Sequence, residues 1–212
     1  MQSNDTIELS ATELKGREIV VGVCGGIACY KVADVVSKLV QMGAGVTVVM
    51  TKEATRFVTP LTFQALSGRA VATDIFELTE ASDPQHIRLT ERADVMLVAP
   101  ATTNAIAKIA HGLTDDVVSL MVCAAACPVV FAPAMNWRMW EHPIAQDNYA
   151  KLSAMGYRFI GPEQGWLACR NTGYGRLSEP EKIVAQIRRM LTVPGELPKP
   201  VTPVLEEADT DE

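Results

Sequence analysis

Four short, largely apolar runs with helix-like stretches between them constrain the fold of this chain more than any other feature. Glu18 to Cys24 (EIVVGVC), Val46 to Met50, Asp94 to Ala99 (DVMLVA) and Pro128 to Ala132 show no alternation of polar and apolar residues. Such runs read as strands buried on both faces, which parallel sheets with helices on either side require. Tyr30 to Met42 places Val32, Val35, Val36, Leu39 and Val40 on one helical face and is closed by Gly43. The order strand–helix–strand predicts an α/β chain with a doubly wound, mostly parallel sheet in a single domain.

Weaker elements fill the intervals. A short helix is expected over Leu61 to Leu66 and a brief strand near Val71. A helix opens at Asp83-Pro84 and carries His86, Ile87, Leu89 and Arg92. Further helices are expected over Ala105 to Ala110, Asp115 to Ala126, Trp137 to Met155 and Glu179 to Leu191, with a last strand over Tyr157 to Ile160. Ser178 and Glu181 have the spacing of a capping box for the final helix. The expected boundaries are a flexible N-terminus at 1–15, a folded domain at 16–192 and a disordered tail at 193–212, where prolines precede the acidic run Glu206 to Glu212.

Composition narrows the function. The formal net charge is −6 and the basic residues are scattered, which argues against nucleic acid or an acidic membrane as partner. No apolar run approaches the roughly 20 residues of a membrane span, and residues 1–14 hold no signal-peptide core. With five cysteines in no regular spacing, a disulfide framework is not indicated and the cytoplasm is the expected compartment. Cys123 and Cys127 have no nearby histidine or Cys-x-x-Cys companion, so no metal site is expected.

In a doubly wound sheet the carboxyl ends of the strands share one rim, and ligands bind there. Here those ends are chemically unusual: Gly25-Gly26, Thr51-Lys52, Thr102-Thr103-Asn104 and Pro133-Ala134-Met135-Asn136. Gly25-Gly26 opening a helix admits an anion to backbone N–H groups, although such a pair alone is most often ordinary turn chemistry. It is not the Gly-x-Gly-x-x-Gly fingerprint, and strand two ends in a hydroxyl and a cation instead of a ribose-binding acid. A mononucleotide phosphate suits these donors better than a dinucleotide. Three polar residues at 102–104 exceed what an N-cap requires, the cap being the simpler alternative. Met135, Met139, Trp137 and Trp140 around Asn136 suit a flat aromatic ligand, or else a core-lining corner. His86 is a candidate acid–base residue. Cys169, beside Arg170 and Arg176 in the glycine-rich stretch Trp166 to Arg176, is a candidate reactive thiol on a flexible flap.

Together these segments resemble the flavin-dependent cysteine decarboxylase family from about Gly16 to Leu191. Three motifs carry the resemblance: Gly-Gly-Ile-Ala-x-Tyr-Lys (Gly25 to Lys31), His-Ile-x-Leu-x-x-x-Ala-Asp (from His86), and Pro-x-Met-Asn-x-x-Met-Trp (Pro133 to Trp140). The last is a signature of the branch that decarboxylates cysteine derivatives. The resemblance implies a Rossmann-like (flavodoxin-like) sheet, assembly into a homotrimer or a multiple of trimers, and FMN held where subunits meet. It assigns Gly26, Ile27, Ala28, Thr51, Lys52, Glu53, Thr102, Thr103, Asn104, Ala105 and Ala134 to the cofactor. Ala105 departs from the family in lacking a hydroxyl.

By the same resemblance, the expected activity is FMN-dependent decarboxylation of 4'-phospho-N-pantothenoyl-L-cysteine to 4'-phosphopantetheine in coenzyme A biosynthesis. Asn136 would hold the substrate carboxylate, Trp166, Leu167 and Ala168 would line the substrate, and His86 would serve as acid–base group. Flavin oxidation of the cysteine side chain gives a thioaldehyde that accepts the electrons of the breaking C–C bond. Cys169 would then donate the proton when the resulting enethiolate is reduced. The flap reads Ala-Cys-Arg-Asn where the family has Ala-Cys-Gly-Asp, so Arg170 and Asn171 bear on its motion. Arg170 and Arg176 are the cations expected to guide the anionic substrate. A phosphopantothenate–cysteine ligase is expected as a separate chain. Two alternatives remain: a peptidyl-cysteine decarboxylase, against which Cys169 argues, and a flavin-binding phosphatase-regulatory subunit with an acidic tail.

Overall fold

The computed structural model describes residues 12–75, 79–80 and 83–201, with 79–80 and 83–88 described by their backbone alone. Five strands form the central sheet: β1 (Glu18–Val23), β2 (Gly45–Met50), β5 (Val95–Ala101), β6 (Val129–Pro133) and β7 (Arg158–Phe159). Their order is β2-β1-β5-β6-β7, and every neighbouring pair is parallel. Between β2 and β5 a two-residue pair, β3 (Thr79–Glu80) and β4 (Asp83–Pro84), stands apart from the main sheet.

Each face of the sheet has its own core. Ile19, Val21 and Val23 of β1 point into a layer with α1 (Cys29–Gln41), Phe63 of α2 (Pro60–Ser67), and Ile183, Val184 and Ile187 of α8 (Pro180–Thr192). Val20 and Cys24 point the other way, against Ile106 and Ile109 of α4 (Thr103–Ala110) and Val118 and Met121 of α5 (Val117–Cys123). Because both faces are covered, no position of a central strand is free to be polar, which is why these strands read as unbroken apolar runs.

Several boundaries differ from expectation, each for a local reason. The helix expected over Trp137 to Met155 is two, α6 (Trp137–Trp140) and α7 (Pro143–Ala154). Pro143 starts α7 at its first position, and the His142 ring accepts from the Ile144 amide as cap. Pro180 likewise starts α8, so Glu179, not Ser178, is its N-cap residue and no side-chain capping bond forms. Ser178 turns inward and is fully buried. Helix α5 is shorter than expected because Asp116 caps it, accepting from the Val118 and Ser119 amides at 3.0 and 2.9 Å.

At the ends, Leu14 is fully buried and its amide donates to Met42, so order begins before residue 16. Arg189 pairs with Glu196 at 2.6 Å beyond the last helix, while the acidic run Glu206 to Glu212 lies outside the described residues. The glycine-rich stretch is not irregular. It forms an antiparallel hairpin, β8 (Glu163–Trp166) with β9 (Thr172–Arg176).

Candidate active site

The four unusual strand ends meet around one cavity of about 850 Å³. Gly25, Gly26, Ile27 and Ala28 follow β1, Thr51 and Glu53 follow β2, Thr102 to Ala105 follow β5, and Ala134 to Asn136 follow β6. The hairpin adds Trp166, Leu167, Ala168 and Cys169 to the wall. Thus every expected cofactor or substrate residue lines the cavity except Lys52, which is exposed beside it. The backbone of His86 lies on α3 (Gln85–Arg92), and its side chain is outside the described residues. Arg170 is also absent from the wall.

The turn after β1 requires glycine for space. A Cβ at Gly25 would stand 2.4 Å from Glu53 Cβ and 2.9 Å from the Glu53 carbonyl carbon, so the two strand-end loops touch there. Helix α1 then begins at Ala28, which has no side chain to cap it. Its positive end therefore lies at the cavity with no side-chain cap, although the Cys29 and Lys31 amides donate to Gly26 O and Ala28 O at 3.0 Å, and its dipole favours an anion there. Thr51 is buried beside it, its hydroxyl accepting from the Ala54 amide at 3.3 Å.

The Thr102-Thr103-Asn104 run divides its labour. Thr102 is indeed an N-cap, accepting from the Ala105 amide at 3.2 Å. Thr103 donates its hydroxyl to Met135 Sδ at 3.0 Å, tying the β5 and β6 loops together. Asn104 is left exposed at the cavity. Since Ala105 also gives its amide to the cap, neither a hydroxyl nor that N–H is available there.

Asn136 is fixed by its own helix. As N-cap of α6 its Oδ1 accepts from the Arg138 amide at 2.8 Å, which engages the oxygen end of the amide while the residue lines the cavity. The tryptophans around it do something other than expected. Trp137 packs beneath Gly173 of β9, and Trp140 meets Tyr149 edge-on at 5.3 Å. The cavity's tryptophan is Trp166 of the hairpin, 66% exposed, with Met135 and Met139 as the apolar wall.

The hairpin is docked onto the Asn136 segment. The Met135 amide donates to Gly175 O at 2.9 Å, and Gly175 has a φ of 133°. Any Cβ there would sit 2.3 Å from Met135 O. At Gly173 it would sit 2.7 Å from Trp137 Cβ. Two glycines thus let β9 lie flat against the loop that carries Asn136, and the turn above it carries Cys169.

The buried thiols have structural environments. Burial pushes up the pKa of Cys24, and likewise of Cys29, which donates its thiol to Cys24 O at 3.1 Å. Burial raises Cys127 to about 11, so it stays protonated near neutral pH. Sequence reading missed Tyr30, Lys31 and Leu177 as wall residues. Lys31 was within reach, since it lies one turn inside the helix that Gly25-Gly26 opens.

The flavoprotein family model matches residues 7–192. This chain belongs to the flavoprotein family. It is 50% identical over 171 residues to the coenzyme A biosynthesis bifunctional protein CoaBC of Bacillus subtilis, covering 81% of this chain and 42% of that protein. The Mycolicibacterium smegmatis CoaBC is 42% identical over 182 residues, covering 86% and 44%. The flavoprotein therefore spans less than half the length of these relatives. Among solved structures, it is similar to a mutant PPC decarboxylase complexed with pantothenoylaminoethenethiol: TM-score 0.75, 29% identity, 82% of this chain and 97% of that one. It is also similar to the FMN-dependent cysteine decarboxylase SpaF: TM-score 0.70, 32% identity, 82% and 98%. These likenesses agree with the mostly parallel α/β sheet expected from the alternating runs.

Proposed function

We propose that this flavoprotein is a carboxy-lyase that decarboxylates 4'-phospho-N-pantothenoyl-L-cysteine to 4'-phosphopantetheine, with FMN as cofactor, in coenzyme A biosynthesis. The observation that carries the reading is the placement of Asn136 and Cys169 on one cavity wall, joined through the docking of β9 on Met135. The residues present fit FMN. The glycine turn allows close backbone approach, the uncapped start of α1 suits its phosphate, and Met135 and Met139 offer an apolar surface to the ring system.

Bound FMN supplies a two-electron acceptor that is regenerated within one turnover. The protein's own residues do the rest. Asn136 orients the substrate carboxylate by neutral hydrogen bonds, which hold it without the salt bridge that would stabilise the ground state against CO₂ loss. His86 is the acid–base group on α3. Cys169 delivers a proton to the enethiolate carbon, completing a redox-neutral decarboxylation. Leu167, buried beside it, gives that step an apolar neighbour.

The reading also places the protein in the cytoplasm, in a folded unit spanning about 16–192, and assembles it into trimers. Ile27 and Tyr30 line the cavity yet are 58% and 61% exposed, the kind of apolar surface a neighbouring subunit would cover. A ligase that joins cysteine to phosphopantothenate is the partner this substrate requires, on whichever chain it sits.

The test is an anaerobic reaction of purified holoprotein with phosphopantothenoylcysteine, followed by mass spectrometry and flavin absorbance. Loss of CO₂ with a fully reduced product and yellow flavin supports the scheme. A product two hydrogens lighter with bleached flavin removes Cys169 from its role. No turnover shifts the reading to a peptide C-terminal cysteine, for which C-terminal Cys peptides are the comparison substrates.

A further inference from the structure

We propose that Lys31 and Arg176 form a subsite for a phosphate monoester on the cavity wall, and that Glu179 is the carboxylate that positions both. The proposal rests on the decarboxylase reading only for the identity of the molecule bearing the phosphate.

Four residues carrying full charge line the cavity: Lys31, Arg176, Glu53 and Asp116. Asp116 shares Lys108 with Asp115, at 2.9 and 2.7 Å. Glu53 belongs to the loop after β2, packed on Gly25. Lys31 and Arg176 come instead from α1 and β9, and both reach Glu179 at the start of α8: Lys31 Nζ lies 3.0 Å from Oε2, and Arg176 Nη2 bonds Oε1. Both cations share Glu179, and Glu163 and Glu181 also act electrostatically on Arg176 and Lys31, so what the pair offers a ligand is free donor groups rather than surplus charge.

Donor capacity is left over. Guanidinium offers five N–H groups and ammonium three, so each cation keeps donors beyond its bond to Glu179. Lys31 lies one turn inside the uncapped end of α1, whose dipole adds to the same field. Arg176 is held in place by more than Glu179. Its stem crosses Gly165 on the paired strand, where a Cβ would stand 2.8 Å from Cδ and 2.9 Å from Nη1. An arginine that only decorated a surface would need no such groove.

The flavin brings its own phosphate, for which Gly26 to Ala28 and Thr51 are the expected donors, so Lys31 and Arg176 are assigned to the substrate's. Arg170 drops out of the earlier expectation. It sits in the hairpin turn at φ 62°, its amide donating to Leu167 O, and it is not on the wall.

The test uses flavin-loaded protein, titrated with 4'-phosphopantetheine and with pantetheine and read by flavin absorbance. It is paired with kcat/KM on phosphorylated and unphosphorylated pantothenoylcysteine. Arg176→Gln and Lys31→Gln, on separate elements, should each weaken the phosphorylated ligand roughly 10- to 100-fold and leave the unphosphorylated one near wild type. Glu179→Gln should loosen the same discrimination by less. Equal losses on both ligands would make the trio a purely structural hinge and overturn the subsite. Loss of preference for FMN over riboflavin, with substrate discrimination intact, would assign the cations to the cofactor and overturn it too. If wild-type protein turns over neither cysteine substrate, the decarboxylase reading fails while the two binding curves still decide the subsite.

Discussion

Replacing Gly175 with alanine should uncouple the hairpin from the rest of the site. The backbone at φ 133° is one that L side chains rarely adopt, a strain of about 1–3 kcal/mol. The new Cβ would also stand 2.3 Å from Met135 O and 3.2 Å from the Met135 carbonyl carbon, atoms that cannot rotate aside. The strands must separate, and the 2.9 Å bond from the Met135 amide is lost, at about 0.5–1.5 kcal/mol. Together these shift docking by about 1.5–4.5 kcal/mol, or roughly 10- to 2,000-fold in the docked population. Hydrogen exchange should therefore accelerate at Met135 and in Thr172 to Arg176, while β1 and β5 keep their protection. Turnover should fall, and the product should shift toward the form two hydrogens lighter, because Cys169 travels with the hairpin. Gly68→Ala is the control: φ is 68° there but nothing lies within 4 Å, so only a strain of about 1 kcal/mol applies. Identical exchange in the Gly175 and Gly68 variants would refute docking through β9.

Three further outcomes are expected. Asn136→Asp keeps an oxygen for the Arg138 amide, so thermal stability should stay near wild type. Its charge opposes the substrate carboxylate, and kcat/KM should drop roughly 100-fold or more; equal activity would take Asn136 off the carboxylate. Cys169→Ser should release the unsaturated enethiol product, seen by mass spectrometry, and a saturated product would transfer the proton to another donor. Hydrogen bonding to Lys108 at 2.7 Å lowers the Asp115 pKa. A depressed carboxylate stabilises the fold above its unfolded value of about 4 and loses that contribution as pH falls through its folded value. Lys108→Met should thus cost stability at pH 7 and make acid unfolding less steep below pH 4, measured by urea melts across pH; an unchanged slope would show that the pair adds nothing.

What the sequence revealed and what it hid have separable physical causes. The sheet was legible because β1, β2, β5 and β6 are largely covered on both faces, leaving each a mostly apolar signal, and the rim followed from topology. The hairpin was not, because Glu-Gln-Gly-Trp and Thr-Gly-Tyr-Gly-Arg have no two-residue apolar period. Its glycines looked like flexibility when they are contact points, Gly173 on Trp137, Gly175 on Met135 and Gly165 under Arg176. A glycine's value as a place of close approach depends on a partner distant in sequence, which no local pattern carries. The same applies to Lys31, whose role depends on Glu179, 148 positions away. The break at Pro143 and the start at Pro180 were different: proline at the first helical position is a local signal, and it outranked both the apolar continuity across Trp140 and the capping spacing at Ser178. Residues that line the cavity were therefore readable one by one, while the supports that hold Arg176 and Cys169 on its wall exist only in the folded chain.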